Sequence, residues 1–289
     1  MYYLQFLLNG VVAGCVYALF AVGLTMTYGV FRFINFAHGE LIAWGAYGVL
    51  LFTGWPFHWP LAVAIAPALL LTIGLGLCSD RLVYRPLRQA DRVTLLIASI
   101  GLSFFLRSAL QFVFTSDLRS YDLGLSRGFE VGGLFFTSVQ LAMVVTALLF
   151  FLGLYGLLTR TLLGKSLRAV SDNHDLAGIM GLPMARVSRT VWILASLFAA
   201  VGGILIALDT NLDPYMGMLN LIKAFSAVLI GGAGNVWGAL LGGLLIGVAE
   251  NLSVALISPG YKDFIAFAVI VLMLLFRPYG LFAMVRGMR

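Results

Sequence analysis

The sequence predicts an all-α fold, a polytopic transmembrane helical bundle, and three observations lead to that class. The chain of 289 residues is 61% hydrophobic but only 10% charged, whereas an average globular protein has about 25% charged residues. Its mean hydropathy is +1.01. Its apolar residues form long runs, and a helix needs about 20 of them to cross a hydrocarbon core of roughly 30 Å. We therefore expect one transmembrane domain over residues 1–289.

Nine apolar runs follow one another along the chain. They cover roughly residues 4–30, 39–53, 60–78, 93–114, 137–158, 190–208, 219–231, 236–257 and 264–276. Two are short, because run 39–53 would rise only about 22 Å as a helix and run 219–231 about 20 Å. Short, glycine-interrupted segments are typical of binding or gating regions in transporters. The pattern predicts eight or nine passes with short or broken helices at 30–40 and 219–238, and it leaves open whether 219–231 spans or re-enters.

Basic residues predict which loops share one side of the membrane. They are concentrated in the loops 79–92 and 159–189 and in the tail, which holds Arg277, Arg286 and Arg289. We expect these three segments in the cytoplasm, which places the N-terminus in the periplasm and the C-terminus inside. Termini on opposite sides need an odd number of passes, and nine passes agree with that. The net charge of +6 lies in such loops rather than on one patch, so nucleic acid is not an expected partner.

Pairs of glycines four residues apart predict helices that approach closely in lipid. The pairing leaves open whether the contact lies within one subunit, which we favour, or between two subunits. The pairs are Gly10 with Gly14, Gly238 with Gly242, and Gly243 with Gly247.

A polar break between the first two apolar runs is the most unusual feature of the chain. Arg32, Asn35, His38, Gly39 and Glu40 lie between two apolar segments, and no turn-rich loop separates those segments. In a membrane protein such an interruption is tolerated only where it faces protein or a water-filled cavity. The break therefore indicates a transport path.

A later glycine-rich segment interrupts another pair of apolar runs and shows a weak similarity to the first break. We expect one or both breaks to border the path or its gate near the cytoplasmic half. The candidates in the second break are Gly231, Gly232, Gly234 and Asn235.

Two acids, Glu40 and Glu250, lie in apolar surroundings. An acid at the centre of a membrane helix costs about 2.5–3.5 kcal/mol, so it is usually functional or paired within the bundle. Glu40 has two open roles, a structural one by pairing with Arg32 or bonding a helix end, and one at the path or gate. We expect His38 and Glu40 to hold the break rather than to bind substrate tightly.

No enzyme, metal or nucleotide site is expected from the sequence. The two cysteines have no metal-ligand spacing, and the three histidines form no HExxH motif. The sequence Gly164-Lys165-Ser166 lacks the earlier glycine of a phosphate-binding loop, because Thr159 stands at that position. We therefore expect no cofactor on this chain, and if ATP drives its activity another chain must hydrolyse it.

The basic loop 159–189 carries a second candidate site. Ser171 or Asp172 can cap a short helix, along which Leu176, Ile179 and Met180 fall on one face. Gly181 and Pro183 would end it. A short amphipathic helix with an exposed apolar face suggests a docking partner.

Several of these segments together resemble a known family, the LivH-type permeases of bacterial ABC importers for branched-chain amino acids. The resemblance covers nearly the whole chain. It is carried by G-x-V-Y-A-L-x-A-x-G-L-T-x-x-Y-G-V at 14–30, N-F-A-H-G-E at 35–40, R-A-V-S-D-N-H-D-L-A-G-I-M-G-L-P at 168–183, G-G-A-G-N-V-W-G-A-L-L-G-G at 231–243 and R-P-Y-G-L-F at 277–282.

The resemblance implies an inner-membrane permease subunit that works with a second, related permease, two cytoplasmic ATPases that bind ATP and Mg, and a periplasmic substrate-binding protein. It also implies that residues 172–181 are the coupling helix that docks on an ATPase. The leading glutamate of the general coupling signature is absent. The coupling candidates are Asp172, Asn173, Leu176, Ala177, Ile179, Met180, Gly181, Leu182 and Pro183.

Two other classes of transporter remain as alternatives to an ATP-driven permease. One is a stand-alone secondary transporter coupled to ions through Glu40, Glu250 or Asp209. The other is a passive channel for small polar solutes. A docking helix in the loop 159–189 argues against the secondary transporter, which needs no ATPase, whereas a passive channel predicts flux without nucleotide.

Overall fold

The computed structural model describes residues 2–54, 56–121, 128–256, 260, 262–277 and 280–281. Of the predicted cytoplasmic tail, Arg286 and Arg289 lie outside these residues, as do three of the six residues of the motif at 277–282. The described residues form the helices α1 Tyr2–Phe31, α2 Ala37–Thr53, α3 Leu61–Ser79, α4 Arg92–Phe114, α5 Ser138–Arg160, α6 Leu162–Asp172, α7 His174–Ile179, α8 Met184–Asp209, α9 Met216–Gly231, α10 Val236–Leu256 and α11 Lys262–Phe276.

Six helices in the described part of the chain are long and apolar enough to cross a membrane. Three apolar helices are shorter: α2 has 17 residues, α9 has 16 and α11 has 15, which correspond to rises of about 26, 24 and 22 Å. The predicted all-α polytopic membrane fold is confirmed.

Both predicted interruptions are present. α1 ends at Phe31 and α2 begins at Ala37, while α9 ends at Gly231 and α10 begins at Val236. His38 and Glu40 lie in the first turn of α2, so the first break is shorter than the polar segment suggested.

The three basic segments lie at one end of the bundle, which we call the basic end. Arg88, beyond a π-helical turn at Asp80–Tyr84, donates to the Ser188 hydroxyl at 2.6 Å near the start of α8. Arg32, after α1, donates to the carbonyl oxygen of Ser171 in α6. The Leu281 amide donates to the Ile230 carbonyl at 2.7 Å. The predicted grouping of the loops thus agrees with the packing.

Glycines fix the centre of the bundle, where α1 packs along α10. A Cβ on Gly14 would lie 2.8 Å from the Leu244 Cα, and one on Gly10 would lie 2.8 Å from the Val248 Cα. Neither position therefore tolerates a side chain, and dispersion contacts between the two backbones replace the hydrophobic effect that lipid cannot provide. The favoured reading of the glycine pairs, close packing within one subunit, agrees with this geometry.

A small β-hairpin was not predicted. Strands β1 Gly128–Val131 and β2 Leu134–Thr137 pair antiparallel, and Gly132 and Gly133 join them with φ values of 63° and 80°. Two glycines with positive φ form the tight turn that suits a hairpin. The hairpin lies at the end opposite the basic end, where the Phe135 amide and carbonyl bond the Gln5 side chain at 3.0 and 2.9 Å.

Candidate translocation path and docking helix

The first break returns the chain into the middle of the bundle. Arg32 has a φ of 57°, after which residues 32–36 lead back to α2. Nε2 of His38 lies 3.2 Å from the Phe20 carbonyl, and the eleven residues from Phe20 to Phe31 rise about 16 Å. α2 therefore begins about halfway through the membrane-spanning part of α1 and runs away from the basic end.

Polar side chains of the break itself and of neighbouring helices hold the backbone of this break. The Asn35 side-chain oxygen accepts from the Ala37 amide at 3.1 Å and from the Tyr84 hydroxyl at 2.7 Å. The Ser99 hydroxyl accepts from the Phe36 amide at 3.2 Å and donates to the Ile34 carbonyl at 3.3 Å. Non-helical backbone at this depth needs such partners, because hydrocarbon offers none.

The beginnings of two short helices meet at this depth. A Cβ on Gly39, in the first turn of α2, would lie 2.7 Å from the carbonyl oxygen of Gly217, and α9 begins at Met216. From this junction α2 runs to one end of the bundle and α9 to the other. Both helices thus direct the positive ends of their dipoles to the same region.

Glu40 lies at the junction and forms an ion pair with Arg107 of α4. Oε1 of Glu40 accepts from Nη2 and, at 3.2 Å, from Nε of Arg107, and it also accepts from the Ser103 hydroxyl at 3.0 Å. Arg32, the partner that the sequence suggested, is instead bonded to Ser171 at the basic end. The pairing of Glu40 with Arg32 was therefore wrong, because the returning backbone carries Glu40 away from Arg32.

The second break lies at the basic end. Gly232 and Gly234 have φ values of 86° and 91°, and the Gly234 amide donates to the Thr25 hydroxyl at 2.9 Å. Asn235 caps α10 by accepting from the Gly238 amide at 3.1 Å, while Gly231 packs against the backbone of Gly238. This break is a tight turn against the last part of α1, whereas the first break returns to mid-depth.

A cavity adjoins the second break. It has a volume of about 320 Å³ and lies between α1, α6 and the start of α10, with Gly29, Ser171, Gly234 and Trp237 among its lining residues. The cavity links this break to the helix that precedes the docking candidate.

Glu250 of α10 has a partner that sequence reasoning missed. Its Oε1 accepts from the Lys223 ammonium at 2.9 Å, and the same ammonium lies 3.2 Å from the Tyr17 hydroxyl. The side chains of Glu250 and Lys223 are 1% and 13% exposed. The bundle thus holds a second buried ion pair, between α9 and α10.

The predicted amphipathic helix in the loop 159–189 is α7. It follows α6 and is capped by Asn173, whose side chain accepts from the Leu176 amide at 3.0 Å. The predicted caps Ser171 and Asp172 were wrong, because both lie within α6, and α6 continues to Asp172. Gly181, with a φ of 79°, and Pro183 follow α7 before α8 begins.

The apolar side chains of α7 point away from the bundle. Leu176, Ile179 and Met180 are 53%, 82% and 75% exposed, whereas Ala177 is buried. The amide of Leu182 donates to the Ala177 carbonyl at 3.1 Å, which fixes the exit from α7. The result is an exposed apolar face on a short helix that ends sharply.

Arg107 and Lys223 are the buried ion-pair partners that the sequence analysis overlooked. Each is a single charge inside an apolar run, and this pattern could have identified both residues from the sequence. The sequence could not identify their partners, because an apolar run does not show which helices become neighbours.

Comparison with known proteins identifies the class of this bundle. Residues 6–274 match the family model described as "Branched-chain amino acid transport system / permease component". The chain belongs to this family.

Curated relatives cover nearly all of the chain. The permease protein BraD of a high-affinity branched-chain amino acid transport system, from Pseudomonas aeruginosa, is 35% identical over 97% of this chain and 95% of its own length. LivH of Escherichia coli, from a system of the same description, is 33% identical over 97% of this chain and 96% of its own length. A probable LivH from Methanocaldococcus jannaschii is 29% identical over 91% of this chain and 87% of its own length.

A solved structure shares the fold. A chain in PsaBC from Streptococcus pneumoniae, in complex with Fab, superposes with a TM-score of 0.50 at 12% identity, over 98% of this chain and 94% of that chain.

Proposed function

We propose that this chain is the membrane-spanning permease subunit of an ATP-driven importer for branched-chain or other hydrophobic amino acids. The observation that carries the proposal is the match to relatives named as branched-chain amino acid permeases over nearly the full length of both partners. The fold agrees with this role, since the described chain is a bundle of apolar helices with two breaks.

The working assembly would contain a second, related permease, two cytoplasmic ATPases and a periplasmic substrate-binding protein. ATP and Mg would bind to the ATPases. Gly164-Lys165-Ser166 forms part of α6, and a Cβ on Gly164 would lie 2.5 Å from the Leu158 Cα. That packing supports the absence of a phosphate-binding loop there.

The docking element for an ATPase would be Asp172–Pro183, with α7 at its centre. Its support is the apolar face of Leu176, Ile179 and Met180, which is exposed in this chain. An apolar groove on the ATPase would cover this face. The basic end would then face the cytoplasm of a bacterial inner membrane, with the N-terminus in the periplasm, as the excess of arginine and lysine in its loops favours.

The translocation path would pass the junction of α2 and α9 and reach the second break at the basic end. Asn35 and His38 would hold the returning backbone through their bonds to α2, Tyr84 and α1. Gly231, Gly232, Gly234 and Asn235 would form the border of the path where it opens to the basic end.

Ion-coupled transport by this chain alone is the less favoured alternative. It would use Glu40, Glu250 or Asp209, yet Glu40 and Glu250 each pair with a buried cation. Both carboxylates are therefore already paired within the bundle, as expected for membrane acids with a structural role.

Reconstitution into proteoliposomes tests the proposal. The complete complex should take up labelled leucine only with ATP inside and binding protein outside, while the purified chain alone should take up none. Uptake by the chain alone, driven by an ion gradient or passive, would refute the proposed function.

A further inference from the structure

The ion pair of Glu40 and Arg107 lies beside an open face of this chain, although it lies deep in the bundle. Glu40 is beside Ser103, the midpoint of α4, and its side chain is 1% exposed while that of Arg107 is 12% exposed. The guanidinium carbon of Arg107 lies 5.4 Å from the ring centre of Tyr215 and 5.8 Å from that of Phe104. Both rings are more than half exposed.

An arginine at this depth is costly against lipid and is expected to face a watery path or another subunit. The pair Lys223–Glu250 offers a contrast within the same bundle. Its ammonium is held between the carboxylate and the Tyr17 hydroxyl, so it has the partners of a structural cross-link. The face beside Arg107 instead carries two exposed aromatic residues, Phe104 and Tyr215. Leu219, one helical turn after Tyr215, is also exposed.

The polar atoms of the pair are only partly used. Both oxygens of Glu40 are buried, yet Oε2 has no hydrogen-bond partner among the described residues, and both bonds from Arg107 go to Oε1. A buried carboxylate oxygen without a partner costs free energy. Oε2 of Glu250 likewise has no partner among the described residues. What distinguishes Glu40 is that its cation lies beside the exposed Phe104 and Tyr215, where a donor can reach the pair during function.

Helix dipoles add to the charge of Arg107. α2 begins next to Glu40 and α9 begins next to Tyr215, which precedes its first residue. In transporters, broken helices that begin at mid-depth direct their N-termini at anionic groups of the substrate. The junction therefore combines a guanidinium, two positive helix ends and an acceptor oxygen within one small region.

We propose that the Glu40–Arg107 pair contacts the zwitterionic head group of the amino acid as it passes the junction. Arg107 binds the carboxylate, Oε2 of Glu40 accepts from the ammonium, and an apolar side chain lies against Phe104, Tyr215 and Leu219. This inference rests on the proposed function and names the substrate contact within it. It adds a substrate contact to the role of holding the break that the sequence predicts for Glu40.

Matched pairs of variants separate a substrate contact from a structural ion pair. The test pair is Arg107→Met alone and together with Glu40→Gln; the control is Lys223→Met alone and together with Glu250→Gln. Each double variant removes both charges, and replacing a buried ion pair by neutral groups is often tolerated. The complete complex is reconstituted, and three quantities are measured: its subunit composition, its ATPase rate stimulated by binding protein, and leucine imported per ATP.

The control double variant should import leucine as the wild type does. The test double variant should keep the composition and the stimulated ATPase rate, yet import per ATP should fall about ten- to a hundredfold, the loss expected for one charge-assisted hydrogen bond. Recovery of import in the test double variant would overturn the proposal, as would equal loss in both double variants.

Loss of the second permease from the complex would make Arg107 an interface residue and would also overturn the proposal. A wild-type complex without ATP-driven uptake would instead refute the proposed function.

Discussion

Removing the apolar face of α7 should weaken the attachment of an ATPase. The change is the double substitution Leu176→Ala and Met180→Ala, which shortens two exposed side chains and leaves the cap at Asn173 and the buried Ala177 in place. Neither side chain supports the fold of this chain, so the permease itself should remain folded. Attachment should weaken because a partner groove would lose the apolar surface that it covers.

The size of the effect follows from the exposed fractions. Full burial of a Leu or Met side chain contributes about 1.5–3 kcal/mol. Leu176 and Met180 are 53% and 75% exposed, so a partner that covers them gains about 1–2 kcal/mol from each. Alanine keeps its Cβ, so the double variant should lose about 2–3 kcal/mol, which raises the dissociation constant about 30- to 150-fold.

Two measurements check the result: the dissociation constant of the ATPase from the permease in nanodiscs, and leucine import by the reconstituted complex. Leu118→Ala is the matched control, because Leu118 is 66% exposed but follows α4 at the opposite end. If the double variant binds the ATPase as tightly as the control and imports normally, α7 does not dock an ATPase.

Three other predictions follow from the same structure. Cysteines placed singly at Ser120 and Asp175, in a background without the two native cysteines, should react with an impermeant reagent from opposite sides of the membrane; labelling of both from outside would overturn the orientation. Asp175 is preferred to its neighbours because its side chain is 99% exposed. Gly247→Leu should lower the melting temperature of the detergent-purified chain strongly, since a Cβ there would meet the Gly10 carbonyl at 2.6 Å, whereas Gly153→Leu should not, since a Cβ there has nothing within 4 Å. Gly181→Val should reduce import, because a β-branched residue is strained at a φ of 79°.

The sequence predicted the breaks well because they depend on local chemistry. A run of lipid-facing residues cannot include four polar groups at 32–40 without a change of backbone, and the helix ends agree within a few residues. The end of α7 was similarly predictable, since Gly181 favours a positive φ and Pro183 cannot continue a helix. Its start was not, because Ser171, Asp172 and Asn173 are all good caps.

The ion pairs show what the sequence could not predict. Glu40 has Arg32 nearby in sequence, yet its partner is Arg107, and the choice depends on residues 32–36 carrying α2 back beside the middle of α4. Glu250 likewise meets Lys223 only because α9 and α10 pack together. Tertiary neighbours decide both cases, and apolar periodicity contains no information about them.

The position of the first break gives Glu40 and Arg107 a role that neither would have at a helix end. Were α2 a full span that began at the basic end, Glu40 would lie in the interfacial region, where charge costs little and water supplies every partner. The returning segment instead places the start of α2 at the depth of Ser103, beside the start of α9, where a charge is stable only with a partner. An amino acid that crosses this depth also carries two charges that lose water. In the contact that we propose, a resident pair of opposite charges, with one carboxylate oxygen unused, would lower the barrier for that zwitterion without holding it, because the pair would close again on itself when the amino acid leaves.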